Sequence, residues 1–226
     1  MKRLSFLLTF LAAVGSLASA DTFYTSRTDF LAATSATSTA TFDTAAPDAG
    51  YTSYGTSATI DGVTFTSPCC VYAFGQNMEY GSWVLNSSTD VVSYTGPGDN
   101  NNVPATVVTL PTASTAFGVD LGTYVSGLHS VQITLSDGTV YNLTLNGREM
   151  VSNNWFGTTP VFFGVTSTTA ITSFSILFTD PVADWVEFDN LTYGDTATPV
   201  PEPASMFLFG TGLVGMAGAI RRKLRR

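Results

Sequence analysis

Residues 130–145 read SVQITLSDGTVYNLTL, and polar and apolar side chains alternate on both sides of the central Asp137-Gly138. In an extended chain, this alternation puts the apolar side chains on one face of a strand and the polar ones on the other. An Asp-Gly pair between two alternating segments is typical of the tight turn of a β-hairpin. The stretch therefore predicts two antiparallel strands that share one buried face.

The same pattern extends over most of the chain, and Asp61-Gly62 predicts a second hairpin turn between residues 58–60 and 63–65. About a dozen short strands separated by Gly, Pro, Asn and Asp predict an all-β fold. We expect an antiparallel β-sandwich or jelly roll, with a closed barrel as the alternative. Further strands are predicted at 41–43, 71–74, 83–85, 91–94, 106–110, 116–121, 161–165, 171–178 and 185–193.

One short helix is predicted near the start of this domain. The Ser26 hydroxyl stands three residues before Asp29, the spacing at which a capping side chain accepts the backbone amide of a first helical turn. Phe30 and Leu31 follow, and we expect both side chains to be buried.

The N-terminal residues have the pattern of a secretory signal peptide. Lys2 and Arg3 precede an apolar stretch over residues 4–14, and the small residues Ala18-Ser19-Ala20 follow it. Such a segment is removed on export, so we expect cleavage after Ala20. A retained N-terminal membrane helix is the alternative. The expected ectodomain comprises residues 21–196, with a linker at 197–203.

The charge of the central part of the chain excludes one class of partner. Residues 21–203 contain all seventeen acidic residues but only two basic ones, Arg27 and Arg148, which gives a formal net charge of −15. A surface of this charge repels phosphate backbones and anionic lipid. Nucleic-acid binding is therefore excluded, whereas divalent cations could be attracted.

Cys69 and Cys70 are the only cysteines, and they are adjacent. Paired cysteines of an exported protein are expected to oxidise, although neighbouring Cα atoms lie only about 3.8 Å apart. A vicinal disulfide between them is one interpretation, as a redox switch or a contact surface for a ligand. A simple structural turn, or two thiols in a strand, is the other. Two cysteines without neighbouring histidines do not form a zinc site.

His129 is the sole histidine, and no Gly-x-Ser-x-Gly motif accompanies it. A serine-hydrolase triad would depend on this residue alone, so we interpret it as a surface histidine or as a residue at a strand start. No cofactor is expected, with calcium as the one open option.

The segment around Trp185 offers the most specific candidate contacts. Trp185, Glu187 and Asp189 alternate with apolar residues and should share one strand face. An aromatic ring beside carboxylates could stack on a sugar, and a carboxylate pair could hydrolyse one. Alternatively Asp189, together with Asp43, could bind calcium through carboxylate oxygens. In the simplest interpretation, Asp189 and Asn190 only close the last strand with a turn.

Other aromatic residues are weaker candidates for a carbohydrate platform, because most aromatic side chains of a β-domain are core. They are Tyr51, Tyr54, Trp83 and Trp155.

The C-terminal residues form an apolar segment followed by a basic end. Residues 204–220 are seventeen uncharged residues, and five of the six residues that follow are Arg or Lys. At a rise of about 1.5 Å per residue, such a helix would span about 25 Å, near the lower limit for a bilayer core. We expect a transmembrane helix whose basic end, residues 221–226, stays in the cytoplasm.

Val200-Pro201-Glu202-Pro203, the glycine-bearing apolar segment and the terminal arginines together resemble the PEP-CTERM sorting signal of Gram-negative bacteria. The resemblance implies recognition by exosortase, an integral-membrane cysteine protease or transpeptidase that acts near the Pro-Glu-Pro motif. Pro201, Glu202 and Pro203 would then be the recognition motif. Proteins with this signal are linked with exopolysaccharide and the biofilm matrix.

Taken together, these features predict an exported, non-enzymatic protein of the cell surface or extracellular matrix. It would be anchored in the inner membrane until processing and could contact extracellular polysaccharide. A secreted carbohydrate-active enzyme with a carboxylate pair, or a calcium-dependent adhesion module, is the alternative.

Overall fold

The structure is a computed structural model that describes residues 21–75, 89–94, 105–123, 126–147, 149–151, 154–156, 159–180, 185–197 and 221. The predicted signal peptide, the Pro-Glu-Pro motif, the predicted helix at 204–220 and the predicted strand at 83–85 lie outside these residues. The chain divides into two compact units, Met1–Thr196 and Ala197–Arg226. Of the helices in the described ranges, none has the length and apolar character needed to span a bilayer.

The described part of the first unit consists of twelve strands and one short helix. The helix is α1 (Arg27–Ala32). The strands are β1 (Thr22–Tyr24), β2 (Thr34–Ala40), β3 (Tyr51–Ile60), β4 (Val63–Gly75), β5 (Thr89–Tyr94), β6 (Thr106–Thr123), β7 (Leu128–Leu135), β8 (Val140–Asn146), β9 (Glu149–Val151), β10 (Asn154–Phe156), β11 (Val161–Phe178) and β12 (Trp185–Thr196).

These strands pair antiparallel, which confirms the all-β antiparallel class. Ten of them form one sheet in the order β2-β12-β5-β4-β6-β11-β7-β8, with β1 on β11, β3 on β4 and a further pairing of β12 with β6. Strands β9 and β10 pair separately.

Both predicted hairpins are confirmed. Strands β7 and β8 pair from Leu128↔Asn146 to Thr134↔Val140. At the other turn, Ile60 pairs with Val63, and Asp61 and Gly62 have φ values of 49° and 82°. Positive φ at both central residues is the requirement of a type I′ turn, which explains why Asp-Gly stands there.

The longest strands change partners along their length. Strand β4 pairs with β6 over Thr64–Thr66 but with β5 over Val71–Gly75. Strand β11 keeps β6 on one side, with a register shift between Thr166 and Ile171. On its other side it pairs with β1 over residues 164–166 and with β7 over residues 174–178. Because these strands change partners near their middles, one continuous sheet folds over a common core.

Large aromatic side chains fill that core and join distant parts of the sheet. The ring centroids of Phe65 and Phe188 are 5.4 Å apart, and those of Phe117 and Phe174 are 4.8 Å apart. All four side chains are fully buried. Burial of aromatic side chains is the dominant stabilising contribution expected in a domain of this kind.

The predicted helix and its cap are confirmed, since the Ser26 hydroxyl accepts the Asp29 amide at 3.3 Å. Phe30 is fully buried, but the expectation for Leu31 was wrong, because its side chain is 44% exposed. A six-residue helix packs only one face on the sheet, and Leu31 lies off that face.

The strand expected at 41–43 was also wrong. The strand in this region, β2, ends at Ala40. Phe42 has a φ of 59°, and its amide donates to the Asp61 carboxylate at 2.9 Å instead of to a neighbouring strand. Phe42 has a left-handed backbone and its amide bonds to a side chain, so the strand ends before it and the chain turns here.

Candidate functional site

Strand β12 separates a core face from a polar and aromatic face. Val186 and Phe188 belong to the hydrophobic core, so Trp185, Glu187 and Asp189 lie on the opposite face of the strand. The side chains of Glu187 and Asp189 are nevertheless completely buried, whereas Trp185 is half-buried. This face of the sheet therefore combines enclosed carboxylates with a partly accessible aromatic ring.

Trp185 is one member of a group of four contacting aromatic rings. Its ring centroid lies 5.5 Å from that of Tyr72, which in turn lies 5.9 Å from Phe74 and 6.0 Å from Tyr51. Tyr51 and Phe74 are 6.1 Å apart. We call Tyr51, Tyr72, Phe74 and Trp185 the aromatic strip.

The pairing of the strands explains why these four rings meet. Tyr51 on β3 pairs directly with Phe74 on β4. Tyr72 is two residues before Phe74, so both side chains project from the same face of β4. Strand β5 lies between β4 and β12, and Tyr72 and Glu187 pair with the same residue of β5. The rings of Tyr72 and Trp185 therefore meet across β5.

A second group on this side of the sheet is built around Arg27, the first residue of α1. Its guanidinium lies 3.0 Å from the Asp120 carboxylate and donates to the Asn190 carbonyl at 2.8 Å and to the Thr192 hydroxyl at 3.0 Å. It also lies 4.8 Å from the centre of the Phe162 ring. Arg27 thus fastens the helix to three strands of the sheet.

Asp120 and Asp189 are directly paired residues of β6 and β12. Burial raises the pKa of the Asp120 carboxyl above its ordinary value of 3.8, while the Arg27 charge and hydrogen bonds from Arg27 and Asn190 lower it. Burial is the largest of these effects. The Arg27 cation therefore offsets part of the cost of keeping this carboxylate inside the fold.

The simplest interpretation, in which Asp189 and Asn190 close the last strand, was wrong, because β12 continues to Thr196. Asn190 has a φ of 48°, and the register of β12 against β6 shifts between Asp189 and Thr192. This bulge presents the Asn190 carbonyl to Arg27. Asparagine is among the few residues that tolerate the left-handed conformation.

The structure joins Cys69 and Cys70 by a disulfide bond at the middle of β4. They lie between the segment that pairs with β6 and the segment that pairs with β5. The buried Ser67 hydroxyl accepts both of their backbone amides, at 3.3 and 3.1 Å. Cys69 is exposed and Cys70 half-buried, and both lie within the strand and not in a turn. A role as a redox switch or ligand contact stays a prediction.

His129 is the second residue of β7, and its side chain is buried. One ring nitrogen lies 3.0 Å from the Asp180 carboxylate and the other 3.2 Å from the Ser126 carbonyl. Asp180 also accepts the Ser130 amide at 3.1 Å. The histidine thus links the start of β7 to the residues just after the end of β11, so its contacts serve the fold.

The two predicted calcium ligands differ in environment. Asp43 is exposed after the end of β2, whereas Asp189 is buried within β12. In the described ranges, no group of three or more His, Cys, Asp or Glu side chains is arranged to hold a metal ion. Calcium binding by Asp43 and Asp189 stays a prediction.

Only part of the aromatic strip was anticipated. Tyr51 and Trp185 belong to it, but the Tyr54 hydroxyl donates to the Ala45 carbonyl at 2.6 Å, and its ring packs on the core. The side chains of Trp83 and Trp155 lie outside the described residues. Tyr72 and Phe74 were missed as candidates, although their spacing of two residues within a strand was the available signal.

The fold and this face define an antiparallel β-domain with an aromatic strip beside buried carboxylates. At the other end of the chain, residues 199–223 match the family model of the PEP-CTERM protein-sorting motif. The chain therefore carries a PEP-CTERM sorting signal, as its C-terminal residues suggested. The motif implies an exported protein, made as a membrane-associated precursor and processed by exosortase.

Comparison with curated proteins gives no match. Among solved structures, the chain is similar to the K2 cleaved adhesin domain of Lys-gingipain, with 16% identity, a TM-score of 0.38, and 70% of this chain and 99% of that chain covered. It is also similar to a point mutant of the family 29 carbohydrate-binding module CBM29-2, with 11% identity, a TM-score of 0.35, and 74% and 100% covered.

A third similar structure comprises the CBM22-1 and GH10 modules of the endo-1,4-beta-D-xylanase Xyn10B of Clostridium thermocellum, complexed with xylohexaose. The identity is 9%, the TM-score is 0.33, and the match covers 69% of this chain and 27% of that chain. At TM-scores this low, the three likenesses carry no argument about topology or function.

Proposed function

We propose that the protein is a non-enzymatic component of the cell surface or exopolysaccharide matrix, delivered there by its PEP-CTERM signal. Residues 21–196 form the exported part, a β-sandwich-like domain. The observation that supports this proposal best is that the candidate face has a different exposure in its two parts. The aromatic strip is partly accessible, while the neighbouring carboxylates of Glu187 and Asp189 are completely buried.

Accessible rings beside buried carboxylates favour binding of a sugar over its hydrolysis. In a glycosidase, two carboxyl groups must flank the scissile bond and contact it directly. Glu187 and Asp189 have no exposed surface, and Asp120 is engaged by Arg27. A sugar chain could therefore reach the aromatic rings of this face without reaching its acids.

The delivery proposed here has two stages. The apolar residues 204–220 would hold the exported domain at the inner membrane, with residues 221–226 in the cytoplasm. Exosortase would then act near Pro201-Glu202-Pro203 and release the domain from its membrane segment. Removal of the basic end would leave an acidic protein suited to an extracellular matrix.

We predict that the mature protein recovered from the medium ends near Pro203. Replacing Glu202 by alanine should retain the chain in the membrane fraction, because the motif presented for processing is then incomplete. Intact-mass measurement of the membrane and medium fractions checks both statements, with Thr198→Ala as the matched control. A C-terminus at Arg226 in every fraction of the unmodified protein would contradict the sorting proposal.

We also predict that the protein releases no sugar from polysaccharides. A reducing-end assay on neutral and acidic polymers should give the buffer value for the unmodified protein and for Glu187→Gln alike. The reason is that Glu187 is buried away from any substrate. Product release that disappears in Glu187→Gln would instead establish the enzyme alternative.

A further inference from the structure

We propose that the aromatic strip is a binding site for an extended polysaccharide that carries no net charge. This inference rests on the proposed function, since it names the surface and the ligand class through which a matrix protein would hold its polymer. The site consists of the four rings of Tyr51, Tyr72, Phe74 and Trp185 on strands β3, β4 and β12.

Tyr72 and Phe74 form the centre of this site. Their centroids are 5.9 Å apart, and their planes are inclined by only 22°. The two rings lie next to each other along one strand, so they form a continuous apolar surface. An extended polysaccharide presents apolar C–H groups at regular intervals, and these can contact such a row of aromatic side chains.

Tyr51 and Trp185 flank this pair. Tyr51 lies on the β3 side with its ring at 62° to Tyr72, and Trp185 lies on the β12 side at 60° to the same ring. The four contacting rings therefore extend across β3, β4 and β12 as one aromatic surface. An elongated polymer can contact all four rings, whereas a compact molecule would contact fewer.

The aromatic strip is partly exposed, and its rings are already in contact with one another. Tyr51 is 57% exposed, and the other three rings are half-buried. Their mutual contacts hold the rings in place, so little side-chain freedom remains to be lost on binding. Aromatic side chains with polar ends suit a ligand that has both C–H faces and hydroxyl groups.

Charge determines which polysaccharides can occupy the aromatic strip. Residues 21–203 carry a formal net charge of −15. Arg27 is already bound to Asp120, Asn190 and Thr192. Since the surface repels anions, an acidic polysaccharide is disfavoured and an uncharged one is not.

Affinity electrophoresis of the full chain in detergent tests this inference. Gels would contain one of four neutral polymers (hydroxyethyl cellulose, a mannan, a galactan or an α-glucan) or the anionic polygalacturonate. We expect retardation by at least one neutral polymer and none by polygalacturonate. Tyr51→Ala and Trp185→Ala should each weaken retardation by about fivefold or more, as loss of a central aromatic contact does.

Phe23→Ala is the matched control, because Phe23 is 40% exposed but contacts Tyr141 and Phe163 instead of the strip. It should leave retardation unchanged. Tyr51→Ala removes the most exposed ring of the strip, so its thermal unfolding should match that of the unmodified protein. Trp185→Ala gives a second test of the same site.

Three results would overturn the inference: no retardation by any neutral polymer, retardation by polygalacturonate alone, or equal retardation of Tyr51→Ala, Trp185→Ala and the unmodified chain. Capture of a protein that Tyr51→Ala fails to capture, without polymer binding, would assign the strip to a protein partner. The proposed function is measured separately, by processing of the tail and by recovery of the mature protein with the extracellular matrix.

Discussion

Replacing Arg27 by alanine is expected to lower the free energy of unfolding of the β-domain by about 2 kcal/mol, somewhat less than the loss of a fully buried ion pair, because the Arg27 side chain is 29% exposed. The substitution leaves the buried Asp120 carboxylate without its cation and removes the hydrogen bonds to Asn190 and Thr192. Helix α1 would also lose its main polar attachment to the sheet. Urea unfolding of the full chain, monitored by fluorescence, measures the change.

The loss caused by Arg27→Ala should depend on pH. Because burial raises the pKa of Asp120 in the folded state, this group favours folding fully below 3.8 and does so less as the pH rises through the folded pKa. Without Arg27, that pKa rises further, since the charge that lowered it is gone. The destabilisation should therefore be larger at neutral pH than well below pH 3.8, where Asp120 is protonated in both the folded and the unfolded state.

Two companion variants separate charge from geometry. Arg27→Lys keeps the positive charge but not the forked donor group, so it should recover part of the stability. Asp120→Asn in the Arg27→Ala background removes the uncompensated charge and should also recover part of it. If the double variant is no more stable at neutral pH than Arg27→Ala alone, the ion pair is not the cause of the loss.

Replacing Gly75 by alanine is expected to lower the free energy of unfolding by about 4 kcal/mol, which is in the range of severe single substitutions. A Cβ atom at this position would lie 2.6 Å from the Asp48 carbonyl oxygen and would also collide with the Pro47 carbonyl. Both obstacles are backbone atoms, so a side-chain rotation cannot relieve them. The Gly75 amide donates to the Gly50 carbonyl at 2.9 Å, which holds the two segments together.

Gly50→Ala is the matched control for this prediction. A Cβ there would meet only the Pro47 ring, at 3.3 Å, which a small shift of that ring relieves. For Gly50→Ala, we expect the free energy of unfolding to change by less than about 1 kcal/mol. For Gly75→Ala, we expect the melting temperature to fall by about 10 °C. Equal melting temperatures for the two variants would show that the close approach at Gly75 does not limit the fold.

Gly75→Ala should also affect binding, because Gly75 follows Phe74 and Gly50 precedes Tyr51. A displaced backbone at this point would move two rings of the aromatic strip. Stability and polysaccharide retention are thus expected to fall together in this variant, whereas Tyr51→Ala should lower retention alone.

Local features of the fold could be predicted well. The Asp61-Gly62 turn and the capping of α1 by Ser26 depend on residues within a few positions of one another. Alternation predicted the buried faces of β7 and β8 for the same reason. The burial of Leu31 was predicted wrongly because it depends on which face of α1 packs on the sheet. The strand at 41–43 was predicted wrongly because the Phe42 amide bonds to Asp61, which is distant in the chain.

The candidate face could be predicted only in part. Alternation put Trp185, Glu187 and Asp189 together, but it could not show that the two carboxylates are completely buried. It also could not bring Tyr72 to Trp185, because β4 and β12 are far apart in the chain and meet through β5.

The sequence by itself determined the β-class of this protein, its hairpin turns, its acidic character and its sorting signal. Each of these depends only on neighbouring residues or on composition. Only the tertiary structure decided which side chains of different strands share a surface. Strand order and register are set by the burial of many distant residues at once. That burial assembled the aromatic strip from three strands and placed Arg27 against Asp120.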